Sequence, residues 1–168
     1  WRGPLRDGVC QETALNDDWS EDGPPLLWRT RGLGSGYSSV VISGDKLYTL
    51  GRRSGETFLV CRRADGGEEL WQTSVGRGDD PNCTPTIDLE AGLVFALSHG
   101  GDLVCADAET GREVWRKNFG RDFGGKMMSG WGYSESPLVD GDRLICTPGG
   151  ENALLAALDK RTGDLIWG

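Results

Sequence analysis

The sequence predicts an all-β fold built from repeated four-stranded antiparallel sheets, and three observations carry the prediction. A motif recurs: Ala157-Leu158-Asp159-Lys160-Arg161-Thr162-Gly163-Asp164-Leu165-Ile166-Trp167 matches Cys105-Ala106-Asp107-Ala108-Glu109-Thr110-Gly111-Arg112-Glu113-Val114-Trp115, with a worn copy from Cys61 to Trp71. Self-similarity of this kind reports architecture directly. Each copy closes a unit of four short runs of β-branched, aromatic and aliphatic residues, punctuated by Gly, Asp and Ser turns. No segment carries a convincing 3.6-residue period, so no helix is expected.

The elements follow in chain order. Residues 1–25 read as an N-terminal arm, followed by a lone strand at 26–30, Leu26-Leu27-Trp28-Arg29-Thr30. The first unit, 36–76, has strands at Ser39-Val40-Val41-Ile42, Lys46-Leu47-Tyr48-Thr49-Leu50, Thr57-Phe58-Leu59-Val60 and Glu69-Leu70-Trp71. The second, 83–120, has them at Thr84-Pro85-Thr86-Ile87, from Gly92 to Leu97, from Gly101 to Asp107 and from Arg112 to Arg116. The third, 134–168, has them at Ser136-Pro137-Leu138-Val139, Arg143-Leu144-Ile145-Cys146, from Leu154 to Leu158 and from Asp164 to Trp167.

The spacing of the closing tryptophans turns these units into blades. Trp28 to Trp71 is 43 residues and Trp71 to Trp115 is 44, while Trp115 to Trp167 is 52 because of an insertion around Gly120 to Tyr133. Four strands in roughly 40–45 residues is the period of a β-propeller blade. One such sheet has two apolar faces and must stack on neighbours to hide them. An indole at each blade's end would wedge the joint. Truncating one is expected to cost roughly 3–5 kcal/mol. A propeller generally needs four to eight blades to close. The three blades and extra strand are therefore expected to be part of a seven- or eight-bladed ring, with strand 26–30 completing another blade.

The small-x-Asp-x-x-Thr-Gly-x-x-x-Trp signature resembles the tryptophan-docking motif of pyrroloquinoline quinone (PQQ) type β-propellers. That family's fold is shared by quinoprotein alcohol dehydrogenases and by the propeller lipoprotein of the outer-membrane β-barrel assembly machinery. The resemblance assigns structural docking roles to Trp28, Trp71, Trp115, Trp167, Gly67, Gly111, Gly163, Asp107 and Asp159. The first copy departs from the pattern at Arg63 and Gly66, which leaves the geometry of its turn open. The opening Trp1-Arg2-Gly3-Pro4-Leu5-Arg6-Asp7-Gly8 is similar to the start of exported propellers of the planctomycete type. Relatives with this repeat imply an extracytoplasmic location, periplasmic or cell-envelope, after removal of a leader.

Composition limits the function classes. A formal charge of −8 and a pI near 4.7, with scattered Lys and Arg, argue against a nucleic-acid surface. No apolar stretch approaches the length that spans a membrane as a helix. Cys10, Cys61, Cys83, Cys105 and Cys146 form no C-x-x-C and no adjacent pair, so zinc ribbons and covalent haem are unsupported. Cys61 and Cys105 occupy equivalent small-residue positions, where a thiol serves as a small hydrophobe.

Two loops carry the remaining chemistry, from Gly32 to Ser39 and from Phe123 to Pro137, and both place Gly-Tyr-Ser just before a first strand. Tyr37, Lys126, Trp131, Tyr133 and Glu135 are the candidate ligand-binding residues, because aromatic, cationic and acidic groups on Gly-rich loops suit recognition. The competing reading is that Tyr and Trp plug the channel mouth. Gly32-Leu33-Gly34-Ser35-Gly36 leads into a strand instead of a helix and so fails as a dinucleotide loop. His99, the single histidine, lies in a turn with no Gly-x-Ser-x-Gly elbow beside it. The pairs Asp17-Asp18 and Asp79-Asp80 lack the alternating spacing of a calcium loop and read as solvated charge.

No residue set demands catalysis and none is assigned to a metal. The expected function is a non-catalytic binding or scaffold propeller without a cofactor, its partner a protein or further blades of its own chain. The alternative is a PQQ- and calcium-dependent alcohol-type dehydrogenase, for which Glu135 would be the calcium ligand and Trp131 the cofactor platform. A third reading, a small-ligand or polysaccharide binder, rests on the aromatic loop.

Overall fold

A computed structural model of the chain describes residue 5, residues 7–16 and residues 18–168. The whole Trp1-Arg2-Gly3-Pro4 opening and Asp17 of the Asp17-Asp18 pair lie outside the described residues. Three four-stranded antiparallel sheets follow one another. The first holds β1 (Val41–Ser43), β2 (Lys46–Arg53), β3 (Glu56–Arg63) and β4 (Glu69–Arg77). The second holds β5 (Thr86–Asp88), β6 (Leu93–Leu97), β7 (Asp102–Asp107) and β8 (Glu113–Asn118). The third holds β9 (Leu138–Asp140), β10 (Arg143–Cys146), β11 (Ala156–Asp159) and β12 (Leu165–Trp167). Within each sheet the strands pair in chain order, joined by tight turns, which is the connectivity of propeller blades. The innermost strands β1, β5 and β9 lie side by side.

Burial follows position in the stack. All five residues of β6 are buried, because the middle blade is covered on both faces. Phe95, Leu97, Leu103 and Val104 form its fully buried centre, with Leu59 and Val75 on one side and Leu144 and Leu158 on the other. Strand β12 has all three residues exposed. A blade with one neighbour hides one face only.

The tryptophans join the blades by one geometry used three times. The Trp28 ring lies on Gly67, the Trp71 ring on Gly111 and the Trp115 ring on Gly163. Each indole thus sits on the glycine turn of the following unit. At Gly111 a Cβ would fall 2.5 Å from Trp71 Cε3, and the residue's φ of +73° already disfavours a side chain. Trp28 Nε1 donates to the Ala64 carbonyl at 3.1 Å and Trp115 Nε1 to the Lys160 carbonyl at 3.0 Å. Trp71 differs. The matching carbonyl, Ala108 O, accepts from the Tyr48 hydroxyl at 3.1 Å, and Trp71 Nε1 is buried without an acceptor.

The Asp and Thr of the motif build the turn beneath each ring. Asp107 Oδ1 accepts from the Thr110 N–H and hydroxyl, both at 2.8 Å, and Asp159 Oδ1 from the N–H groups of Arg161 and Thr162 at 2.8 and 3.0 Å. These bonds favour the charged form and hold both carboxyls below the usual range. The worn first copy keeps the same backbone closure, Gly67 N to Arg63 O at 2.9 Å, although Arg63 replaces the aspartate. Backbone geometry suffices there.

Cations stitch the same joints. Arg62 donates to Thr30 Oγ1 at 2.7 Å and to Gly67 O at 2.8 Å, tying the segment around Trp28 to the first blade. Arg116 of β8 donates to Ser74 O of β4 at 2.8 Å. Lys160 Nζ lies 2.7 Å from Asp88 Oδ2, with both side chains only 7% exposed. On the inner rim a relay crosses both joints: Ser39 N donates to Thr84 Oγ1 at 3.2 Å and Thr84 N to Ser136 Oγ at 3.0 Å.

Among the described residues, 26–30 make no ladder with another strand, and Trp28 docks on the first blade. Two expectations are corrected. A helical turn, α1 (Phe119–Phe123), follows β8 in place of an irregular insertion. Asn118 caps it by accepting from Arg121 N, left-handed Gly124 ends it, and Phe119 and Phe123 anchor it in the core. At five residues it is too short for periodicity to register. Leu154 and Leu155 precede β11 and are exposed, so the third strand of that blade begins at Ala156.

Candidate binding cleft

The Gly-rich segment before β1 lies against β2. Ser35 and Arg52 exchange two backbone hydrogen bonds, 3.0 and 2.7 Å long, and a Cβ at Gly34 would run into the Arg52 carbonyl. Close approach of two backbones explains the glycine there. This contact, together with Tyr37 N donating to Pro81 O at 2.8 Å, sets Tyr37 beside the loop between β4 and β5.

The second loop is pinned at its aromatic end. Asn82 Nδ2 donates to the Trp131 carbonyl at 2.8 Å, and Tyr133 N donates to the His99 carbonyl at 3.1 Å. Gly132, at φ +69°, presses against the His99 imidazole so closely that no side chain fits between them. Trp131 is thereby fixed at the backbone while its indole remains 74% exposed, beside a Tyr37 that is 73% exposed.

Between these loops opens a cleft of about 250 Å³, lined by Tyr37, Arg52, Asp79, Asp80, Asn82, His99, Gly130 and Trp131. Arg52 spends Nε on the Gly78 carbonyl at 2.6 Å and sets its Nη1 3.7 Å from Asp80 Oδ1. The Ser35 hydroxyl donates to the same Asp80 oxygen at 2.5 Å. Neither Asp79 nor the His99 imidazole takes part in a hydrogen bond or ion pair among the described residues.

Of the five residues singled out in the sequence, Tyr37 and Trp131 line the cleft and three do not. Tyr133 is buried, its ring edge-on to Phe119 at 5.0 Å and its hydroxyl donating to Pro148 O at 2.9 Å; burial raises its phenol. It plugs. Lys126 is exposed. Glu135 is half-buried, with Oε1 shielded from solvent and without a hydrogen-bond partner. Its charge adds to burial in pushing the Cys83 and Cys146 thiols up to about 12. Arg52, Asp79, Asp80, Asn82 and His99 belong to the cleft and were not among the sequence candidates. A signal for Asp79, Asp80 and Asn82 existed in the polar run Asp79-Asp80-Pro81-Asn82, which falls between two blades.

Comparison with known proteins adds the lineage. The family model described as outer membrane protein assembly factor BamB matches residues 59–168. Among solved structures the chain is similar to BamB from Moraxella catarrhalis, with 22% identity, a TM-score of 0.60, and coverage of 84% of this chain and 42% of that one. It is similar to a europium-containing methanol dehydrogenase at 18% identity and TM-score 0.61, covering 81% and 25%. It is also similar to quinohemoprotein alcohol dehydrogenase from Comamonas testosteroni at 20% identity and TM-score 0.62, covering 83% and 22%. The chain spans less than half the length of each. No curated protein matches it.

Proposed function

The chain belongs to the PQQ-like β-propeller family described as outer membrane protein assembly factor BamB, and from that membership we propose that it is a non-catalytic binding module. One observation carries the reading. The repeated residues are spent on joining blades, while several polar groups and two exposed aromatics, Tyr37 and Trp131, line one cleft. That cleft has donors, acceptors and two exposed rings, the anatomy of a recognition site. A hydroxyl or thiol nucleophile paired with a base is not among its lining residues. The setting we assign is extracytoplasmic, with a protein or a cell-envelope component as the partner. No helix among the described residues is long and apolar enough to cross a membrane.

The quinone-dependent alternative is a poor fit to the residues present. Among the described residues no three His, Cys, Asp or Glu side chains converge to hold a metal, and no two cysteines are adjacent. Trp131 projects from the rim into solvent, whereas a cofactor platform must be enclosed. The test is thermal melting of the whole protein with PQQ and calcium, alongside dye-linked oxidation of primary alcohols. Unchanged melting and no dye reduction are expected. A saturable rise in Tm accompanied by alcohol oxidation would overturn the binding reading.

A further inference from the structure

We propose that the Tyr37–Trp131 cleft binds a neutral saccharide ring, an assignment that rests on reading the protein as a binding module. Single exposed aromatics are ordinary, but here two lie on one cleft and both are fixed through their backbones. Each offers a large, rigid, amphipathic face at low entropic cost, suited to the C–H face of a pyranose.

The hydrogen-bonding groups left over decide the ligand's polarity. Asp79 is an unspent acceptor, and Asn82 has its amide oxygen free after donating to Trp131 O. Arg52 retains Nη hydrogens, because its nearest carboxylate oxygen lies at 3.7 Å, and His99 retains its ring nitrogens. Donors and acceptors are therefore both present beside the aromatic walls. Vicinal hydroxyls, each able to donate and accept, match such a lining. An anion does not, since two carboxylates face one guanidinium. A compact cation is also disfavoured, because Arg52 already supplies the positive charge and engages Asp80. Size agrees: about 250 Å³ lies below the roughly 300–1,000 Å³ of clefts that enclose drug-sized molecules, so one ring enters while its neighbours extend outward.

The test is titration of the whole protein with methyl glycosides of glucose, galactose and mannose, read by ligand-observed NMR and tryptophan fluorescence. Parallel arms use α- and β-linked oligosaccharides and a glycolipid in vesicles, which separate a soluble glycan from a membrane-held one. A matching glycoside should saturate with a Kd on the order of 1 mM, and a longer chain should bind at least tenfold tighter by contacting both rings. Trp131→Ala and Asp79→Ala should each weaken binding at least tenfold with unchanged Tm, and Trp131→Phe should retain most of it. Failure of every saccharide to saturate overturns the proposal. So does binding that survives Trp131→Ala undiminished. Saturable binding of tetramethylammonium or of a proline-rich peptide, lost in Trp131→Ala, overturns the saccharide assignment and leaves the binding-module reading standing.

Discussion

Tyr48 shows how one residue alters a repeated joint. Its hydroxyl takes the Ala108 carbonyl that the pattern of Trp28 and Trp115 reserves for an indole, and Trp71 Nε1 is left without an acceptor. The two rings lie 5.9 Å apart, and at the equivalent joints of Trp28 and Trp115 the indole is the donor to this carbonyl. Removing the hydroxyl hands the acceptor to Trp71, and the number of satisfied buried donors is preserved. Tyr48→Phe should therefore cost less than about 1 kcal/mol in urea unfolding, despite deleting a buried hydrogen bond. Gly111→Ala should cost more. It combines a positive φ with a Cβ driven into the Trp71 ring, together roughly 2–4 kcal/mol. If the two variants unfolded at the same urea concentration, the shared-acceptor account would fail.

At the scale of the element, strands and their turns were legible because each blade repeats four short apolar runs and a Gly turn before its Trp, with the full Asp-x-x-Thr-Gly closure in the second and third. What the sequence did not reveal depends on neighbours. The helical turn α1 is held by Asn118 and two phenylalanines over a span too short to show a period. The Lys160–Asp88 pair was equally invisible, since its members lie in different blades. Burial raises the Asp88 carboxyl, but the Lys160 ammonium and the N–H groups of Ala91 and Glu90 outweigh it and hold the acid below 3.8. Lys160→Met strands that carboxylate in the joint and should cost roughly 3–5 kcal/mol. Adding Asp88→Leu should recover most of the loss. A double variant as unstable as the single one would show that packing, not charge, is the origin.

Across the whole molecule, the depressed carboxyls act in concert. Asp88, Asp107, Asp122 and Asp159 all sit below their ordinary value of 3.8. Each contributes stability that is present above the unfolded value and lost as pH falls through the folded one. Melting temperature should therefore hold level at neutral pH and drop between roughly pH 5 and pH 1. A decline beginning near pH 7 would contradict the assignment. At this scale the cleft was half legible. Tyr37 and Trp131 stood out as aromatics on Gly-rich loops, whereas Asp79 and Asp80 read as ordinary solvated charge and Arg52 carried no signal until folding placed it on the same cleft.

The tryptophan joint also has a direction. Every blade offers an indole on one side and a glycine turn on the other, so each contact is heterologous and the stack is polar, like a chain of plugs and sockets. Trp167 closes the third blade as Trp71 and Trp115 close theirs. A second copy related by a two-fold axis would set Trp167 against Trp167, with no turn to receive either. Addition to this surface is compatible with head-to-tail order alone, which gives the wheel a single sense of rotation from one unit to the next.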